Sequence, residues 1–176
     1  SSTDESIVKV SDTGKIQAVG IGEASIVVMA GDVIVTCDVT VYQPVSSVYL
    51  DQSVLEGTSG DTFTLQASIY PSDATNKKIT WASDNTDVVT VDENGLVTAV
   101  GYGKATITVT TEDRNKTATC EVTISPVAVT GVSLNQTSLT IDVNEQFTLV
   151  ATVTPENATN KDVTWSTSKP AIVKVE

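Results

Sequence analysis

Along much of the chain, apolar and polar residues alternate one for one. Phe63, Leu65, Ala67 and Ile69 alternate with Thr62, Thr64, Gln66 and Ser68, and Ala105, Ile107 and Val109 alternate with Thr106, Thr108 and Thr110. A period of two sends one set of side chains into a core and the other into water, as in a half-buried β-strand. Valine and threonine recur throughout, and no useful stripe at 3.6-residue spacing appears. The pattern therefore predicts strands, with helices absent or reduced to single turns. Asp92-Glu93-Asn94-Gly95 separates the runs Val88-Val89-Thr90-Val91 and Leu96-Val97-Thr98-Ala99, and Ser11-Asp12-Thr13-Gly14 holds the same place earlier in the chain. Both read as hairpin turns whose glycine takes a positive φ. From Val48 to Ser125 the runs predict about seven short strands, spaced as in a two-sheet sandwich. Gly101-Tyr102-Gly103 marks a bend where the chain changes direction or sheet.

The pattern is also written more than once. Val48-x-Leu50, Phe63-Thr64-Leu65, Pro71 and Ala74-Thr75-Asn76-Lys77 to Trp81 recur as Val132-x-Leu134, Phe147-Thr148-Leu149, Pro155 and Ala158-Thr159-Asn160-Lys161 to Trp165, a shift of 84 (132 − 48). Gly14, Ala18-Val19-Gly20-x-Gly22, Ala24 and Ile26 recur as Gly95, Ala99-Val100-Gly101-x-Gly103, Ala105 and Ile107, a shift of 81 (95 − 14). Cys37-x-Val39-Thr40 recurs as Cys120-x-Val122-Thr123, a shift of 83 (120 − 37). The chain divides into residues 1–43, the closing half of a unit; 44–126, one complete unit; and 127–176, the opening half of another. A unit of this length holds one modest core, and arrays of such units gain reach without new chemistry.

Charge and cysteine content narrow the class. Twenty-two acidic against 10 basic residues give a net charge of −12 and a pI near 4.2. No basic stripe is present to hold a phosphate backbone, so nucleic acid is excluded as a partner. No apolar run approaches the roughly 20 residues that span a bilayer, so membrane insertion of this segment is not expected. No leader opens the chain, and because the first residues fall within a repeat, a leader is expected upstream. Cys37 and Cys120 occupy equivalent positions of successive units, too far apart for a disulfide. Cys37-Val39-Val41 and Cys120-Val122-Ile124 alternate with polar residues, so both thiols are expected to be buried and unpaired.

Candidate chemistry is thin. Asp84-Asn85-x-Asp87 and Asp92-Glu93-Asn94 gather hard oxygen ligands, of which calcium takes about six to eight. Their spacing fits no EF-hand loop, and Thr3, Asp4 and Ser6 stand in the first copy where Asp84, Asn85 and Asp87 stand in the second. Solvated turns are the expectation. The chain has no histidine, no Ser-x-x-Lys pair and no nucleophile elbow, so acyl transfer lacks its base. Acidic turns in an acidic chain do not amount to a glycosidase pair. Asn115-Lys116-Thr117, Asn135-Gln136-Thr137 and Asn157-Ala158-Thr159 match the glycosylation pattern, which arises readily by chance in Asn- and Thr-rich sequence. Trp81, beside Ile79, is expected at the centre of its sandwich, and Trp165, beside Val163, at the centre of the next. No catalytic, cofactor-binding or metal-binding residue is expected. Gln43-Pro44-Val45 and Ser125-Pro126-Val127 lie at the unit boundaries, where a proline in a short joint limits the angle between neighbours and predicts a semi-rigid rod.

A Val-x-Leu strand opens the unit, followed by Phe-Thr-Leu, Pro-x-x-Ala-Thr-Asn-Lys, a Trp-x-Ser strand, Val-x-Val and a glycine turn. Ala-Val-Gly-x-Gly-x-Ala-x-Ile and a Cys-x-Val strand close it. In this order the chain resembles the bacterial immunoglobulin-like domains of group 2, over nearly its whole length. The resemblance implies an all-β fold of tandem immunoglobulin-like β-sandwiches. It also implies modules of exported bacterial and phage proteins, among them intimin- and invasin-like adhesins and multimodular surface enzymes, with no shared catalytic site. Only the ends depart, each matching half a unit. The implied role is a structural spacer of a bacterial cell-surface or secreted protein, extracellular and not an enzyme, with neighbouring repeats as its partners. Two alternatives stand beside it: a binding module whose loops contact a cell-surface glycan or protein, and an accessory of an extracellular hydrolase or phage fibre. Head-to-tail self-association of the half-units is a further one. Ile7-Val8-Lys9-Val10 and Ile172-Val173-Lys174-Val175 are the same strand twice, a redundancy that favours a window cut from a longer array over such a filament.

Overall fold

The computed structural model describes residues 1–175, and among them every regular element is a strand. Residues 1–43 form two hairpins. The first joins β1 (Val8–Val10) to β2 (Ile16–Ala18) through the Ser11–Gly14 turn, where Gly14 has φ 80°. The second joins β3 (Gly22–Ala30) to β4 (Val33–Val41) through a two-residue turn with Gly31 at φ 61°. Both glycines do what a positive φ requires.

The complete unit holds nine strands: β5 (Ser47–Leu50), β6 (Val54–Thr58), β7 (Thr62–Thr64), β8 (Ala67–Tyr70), β9 (Ile79–Ser83), β10 (Val89–Val91), β11 (Leu96–Ala99), β12 (Gly103–Thr111) and β13 (Thr117–Ser125). They form a four-stranded sheet β6-β13-β12-β9, a three-stranded sheet β10-β11-β7 and the ribbon β5-β8. Nine replaces the seven expected because alternation cannot see a change of sheet. Phe63 to Ile69 reads as one strand, yet β7 pairs with β11 while β8 pairs with β5. The switch falls at Leu65 and Gln66: Leu65 N–H donates to Gly95 C=O at 3.0 Å, and Gln66 N–H donates to Asp51 Oδ1 at 2.8 Å. Gly101-Tyr102-Gly103 sits where the chain passes from β11 in one sheet to β12 in the other.

Between the sheets lies the core. Leu55, Leu65, Val89, Val97, Ile107, Cys120, Val122 and Ile124 are buried together, with Leu50, Phe63 and Trp81 packed against them. At about 25 cal/mol per Å² of apolar surface removed from water, such a cluster is the dominant favourable term in the unit. Trp81 is at the rim rather than at the centre. It is half-buried and forms one wall of a shallow open cleft with Leu65 and Ile79. The ring lies over the hairpin turn, where a Cβ on Gly95 would come 3.0 Å from Trp81 Cζ2 and 2.4 Å from Leu65 O.

The flanking halves do not reproduce this core. Residues 1–43 bury only Val8, Ala24 and Ile26 as a cluster. Cys37 is exposed, against expectation, while its counterpart Cys120 is fully buried; both are unpaired. The difference is the missing strands, because residues 1–43 contain no counterpart of β7 in the facing sheet or of β6, which lies alongside β13, and keep only the end of a β9 counterpart in the Ser2–Ile26 bridge. Residues 127–175 form β14 (Gly131–Leu134) and β15 (Ala151–Thr154), the counterparts of β5 and β8. Phe147-Thr148-Leu149, the segment around Trp165 and Ile172 to Val175 form no strand. Trp165 is exposed rather than central. In the complete unit the first two segments pair with β11 and β12, for which residues 127–175 hold no counterpart.

Candidate functional site

The joints are built by the recurring Pro-x-x-Ala-Thr-Asn stretch. Pro71 starts a turn in which Ala74 N–H donates to Pro71 C=O at 3.0 Å, and Ala158 repeats the bond to Pro155 at 3.0 Å. Both alanines are buried. Each following threonine is thereby aimed at the incoming linker. Gln43 N–H donates to Thr75 Oγ1 at 2.9 Å and Gln43 C=O accepts from Thr75 N–H at 2.9 Å. One unit later, Val127 N–H donates to Thr159 Oγ1 at 2.7 Å and Val127 C=O accepts from Thr159 N–H at 2.9 Å. Asn76 Oδ1 accepts from Lys78 N–H and Asn160 Oδ1 from Asp162 N–H, closing the same small turn behind each threonine.

The first joint has a second fastening. Val45 is buried, and its N–H donates to Asp113 Oδ2 at 2.7 Å. Asp113 is held by the β12–β13 hairpin, where Thr111, itself buried, donates to Asp113 C=O at 2.7 Å and accepts from Lys116 N–H at 2.9 Å. Arg114 and Asn115 have φ 61° and 48°, which lets the hairpin close in this shape. The hairpin is tied down from outside by Glu112 N–H on Lys78 C=O at 2.9 Å. The exposed Lys78–Glu112 ion pair, at 3.7 Å, adds little.

Counting what is left free gives the geometry. β4 ends at Val41, paired to Gly22, and Gln43 is already clasped, so Tyr42 alone separates the units. At the second joint β13 ends at Ser125, paired to Thr58, and Val127 is clasped, so Pro126 alone separates them. Pro44 lies inside the clasped segment and does not set the angle, as its place at the boundary had suggested. Pro126 does, since its ring holds φ near −65°.

The acidic turns are occupied by the backbone. Asp84 Oδ1 accepts from Thr106 N–H at 2.6 Å, and Thr3 Oγ1 accepts from Ser25 N–H at 2.8 Å in the first copy, so a carboxylate and a hydroxyl serve the same strand. Asp92 Oδ1 accepts from Leu96 N–H at 2.8 Å and from Asn94 N–H at 2.9 Å. The Leu96 N–H holds the Asp92 carboxyl below the ordinary aspartate range. The Ser6 hydroxyl does the same for Asp4. No cluster of three metal-ligating side chains occurs among the described residues. Burial pushes the Cys120 thiol up, helped by the charges of Asp51 and Glu121, so it is a weak nucleophile. Asn135 spends its amide on its own unit, with Nδ2 on Thr148 C=O at 3.3 Å and Oδ1 accepting from Val150 N–H at 2.8 Å.

No helix of the described residues is long and apolar enough to cross a membrane. The clasping threonines were missed by patterning because they belong to no strand; their signal was a recurrence that no core position explains.

The sequence has known relatives. The chain is 40% identical over 136 residues to an Ig-like virion protein of Serratia phage KSP90, covering 75% of this chain and 52% of that one. It is 32% identical over 118 residues to an alpha-L-arabinofuranosidase of Bifidobacterium longum subsp. longum, covering 64% of this chain and 11% of the enzyme. The chain thus spans about half or less of the length of these relatives. The crystal structure of the S-layer protein rSbsC(31-844) aligns over 76% of this chain and 21% of its own, with a TM-score of 0.44 and 21% identity. Residues 44–122 and 128–176 both match the profile of the bacterial Ig-like domain (group 2), and the chain belongs to that family.

Proposed function

We propose that the chain is a semi-rigid spacer in the stalk of a bacterial cell-surface or secreted protein, holding an adhesive or catalytic module away from its anchorage. The observation that carries the reading is the one-residue joint: Gln43 and Val127 are each clasped by the unit that follows, leaving Tyr42 and Pro126 as the entire spacers. A linker of one residue has almost no reach of its own, so neighbours move together. The charge of −12 favours solubility outside the cell. The likeness to a phage virion protein and to part of a glycosidase supports modules that recur in large exported assemblies.

Residual dipolar couplings of the weakly aligned 176-residue chain test this. Couplings from residues 1–41 and from 46–125 are expected to fit one alignment tensor. Two tensors of different magnitude would mean that the units tumble separately, and the spacer reading would fail.

A further inference from the structure

We propose that the outer face of the β5–β8 ribbon binds an uncharged glycan, stacked on Tyr49 and Tyr70. The register pairs Ser47 with Tyr70 and Tyr49 with Ser68, while Val48 with Ile69 and Leu50 with Ala67 form the alternate pairs. Directly opposite residues share a face. Val48 is buried, so Ser47, Tyr49, Ser68 and Tyr70 point outward together. The two tyrosines are 61% and 62% exposed. They stand on a diagonal, where the spacing is about 7–8 Å and aromatic side chains reach one another.

The third unit shows that the ribbon does not need them. β14 and β15 keep the same register and the same apolar residues on the matching face, with Val132, Leu134, Ala151 and Val153 where the complete unit has Val48, Leu50, Ala67 and Ile69, although Val132 and Leu134 are exposed for want of facing strands. Outward, Ser133 and Thr154 replace Tyr49 and Tyr70. The face that is buried in the complete unit stays apolar in sequence; the opposite face diverges, and there the complete unit alone presents aromatic surface.

The chemistry of the face selects its occupant. All four side chains carry hydroxyls and none carries a charge. Aromatic faces are electron-rich and accept the C–H faces of a sugar ring, while the hydroxyls beside them exchange hydrogen bonds with its rim. A uronate, sulfate or phospholipid headgroup would meet no cation on the face and a chain of net charge −12 behind it. A stable protein interface covers about 800 Å² per partner, far more than four side chains offer. This inference goes beyond the spacer reading and is independent of it, since either holds if the other fails.

Cellohexaose, xylohexaose and mannohexaose, with oligogalacturonate as the charged control, would be titrated into the isotope-labelled 176-residue chain. Saturable amide shifts are expected at residues 47–49 and 68–70 with at least one neutral hexasaccharide. The double variant Tyr49→Ser, Tyr70→Thr installs the third unit's residues; its affinity should fall about tenfold or more with the thermal midpoint unchanged. If that variant loses its midpoint, the single variant Tyr49→Phe decides, because it keeps the ring and should keep most of the affinity. The proposal is overturned if none of the three neutral sugars shifts these residues saturably, if the double variant binds as well as the parent, if Tyr49→Phe abolishes binding, or if the charged oligomer binds best.

Discussion

Val109 and Val28 hold the same place in the long hairpins of two successive units, yet the first is 0% exposed and the second 56%. Leu65 and Leu149 divide in the same way, at 1% and 37%. The clasps do not: Thr75 and Thr159 hold their linkers with the same two hydrogen bonds within 0.2 Å (2.9 and 2.9 Å against 2.7 and 2.9 Å). Local polar geometry is copied wherever its short sequence is copied. Burial is not, because it requires strands from elsewhere in the unit.

That contrast can be attacked at several strengths. The largest effect is expected at the thiols. Cys37 should react with a bulky thiol reagent about 10³-fold or more faster than Cys120, whose labelling waits for the unit to open. Equal rates would show that the two closing sheets are equally covered. Next, Leu65→Ala should cost about 2–5 kcal/mol in denaturant unfolding, and Leu149→Ala under about 1 kcal/mol; similar costs would mean that residues 127–175 have a core of their own. Trp81→Ala should cost about 2–3 kcal/mol, in the lower part of the Leu65 range, because a half-buried ring at the rim leaves an incomplete cavity.

A smaller change probes the clasps. Thr75→Val and Thr159→Val each remove a hydroxyl acceptor while keeping shape, and each should cost about 1 kcal/mol, with faster amide exchange at Gln43 or Val127. An effect at one joint only would break the equivalence.

The smallest effect concerns Asp92. Its carboxyl is held below the ordinary value of 3.8 by Leu96 N–H. A carboxylate with a lowered folded-state pKa stabilises the fold above its unfolded value, and that stability is lost as pH falls through the folded value. Acid unfolding of Asp92→Asn below pH 3.8 should be less steep than that of the parent; an unchanged slope would place the Asp92 hydrogen bonds outside the folding equilibrium.

Much of the all-β architecture was legible. Alternation found the long strands β12 and β13, and Asp92-Glu93-Asn94-Gly95 and Ser11-Asp12-Thr13-Gly14 became hairpin turns with both glycines at φ 80°. Three things were not legible, each for the same reason. The switch at Leu65–Gln66, the rim position of Trp81 and the exposure of Cys37 depend on which strand lies alongside, and periodicity carries no information about partners. The joint hid differently. A threonine that reads a linker backbone looks in sequence like any loop threonine, and the two prolines drew attention to Pro44 when the free residue is Tyr42.

Each clasp closes 32 residues after the linker residue it holds (75 − 43 and 159 − 127). A joint therefore stays slack while the chain emerges and locks only when the following unit has passed the threonine, so the joints close in the order of synthesis. Under tension the order reverses. Pulling on the linker loads the bonds at Gln43 and Val45, and the bond from Ser46 N–H to Tyr70 C=O at 2.8 Å, before it reaches the sheets. Their release would free residues 43–46, about 13 Å of extended chain, at the cost of exposing the buried Val45. At a boundary built this way the clasp is expected to yield before the strands of the unit do.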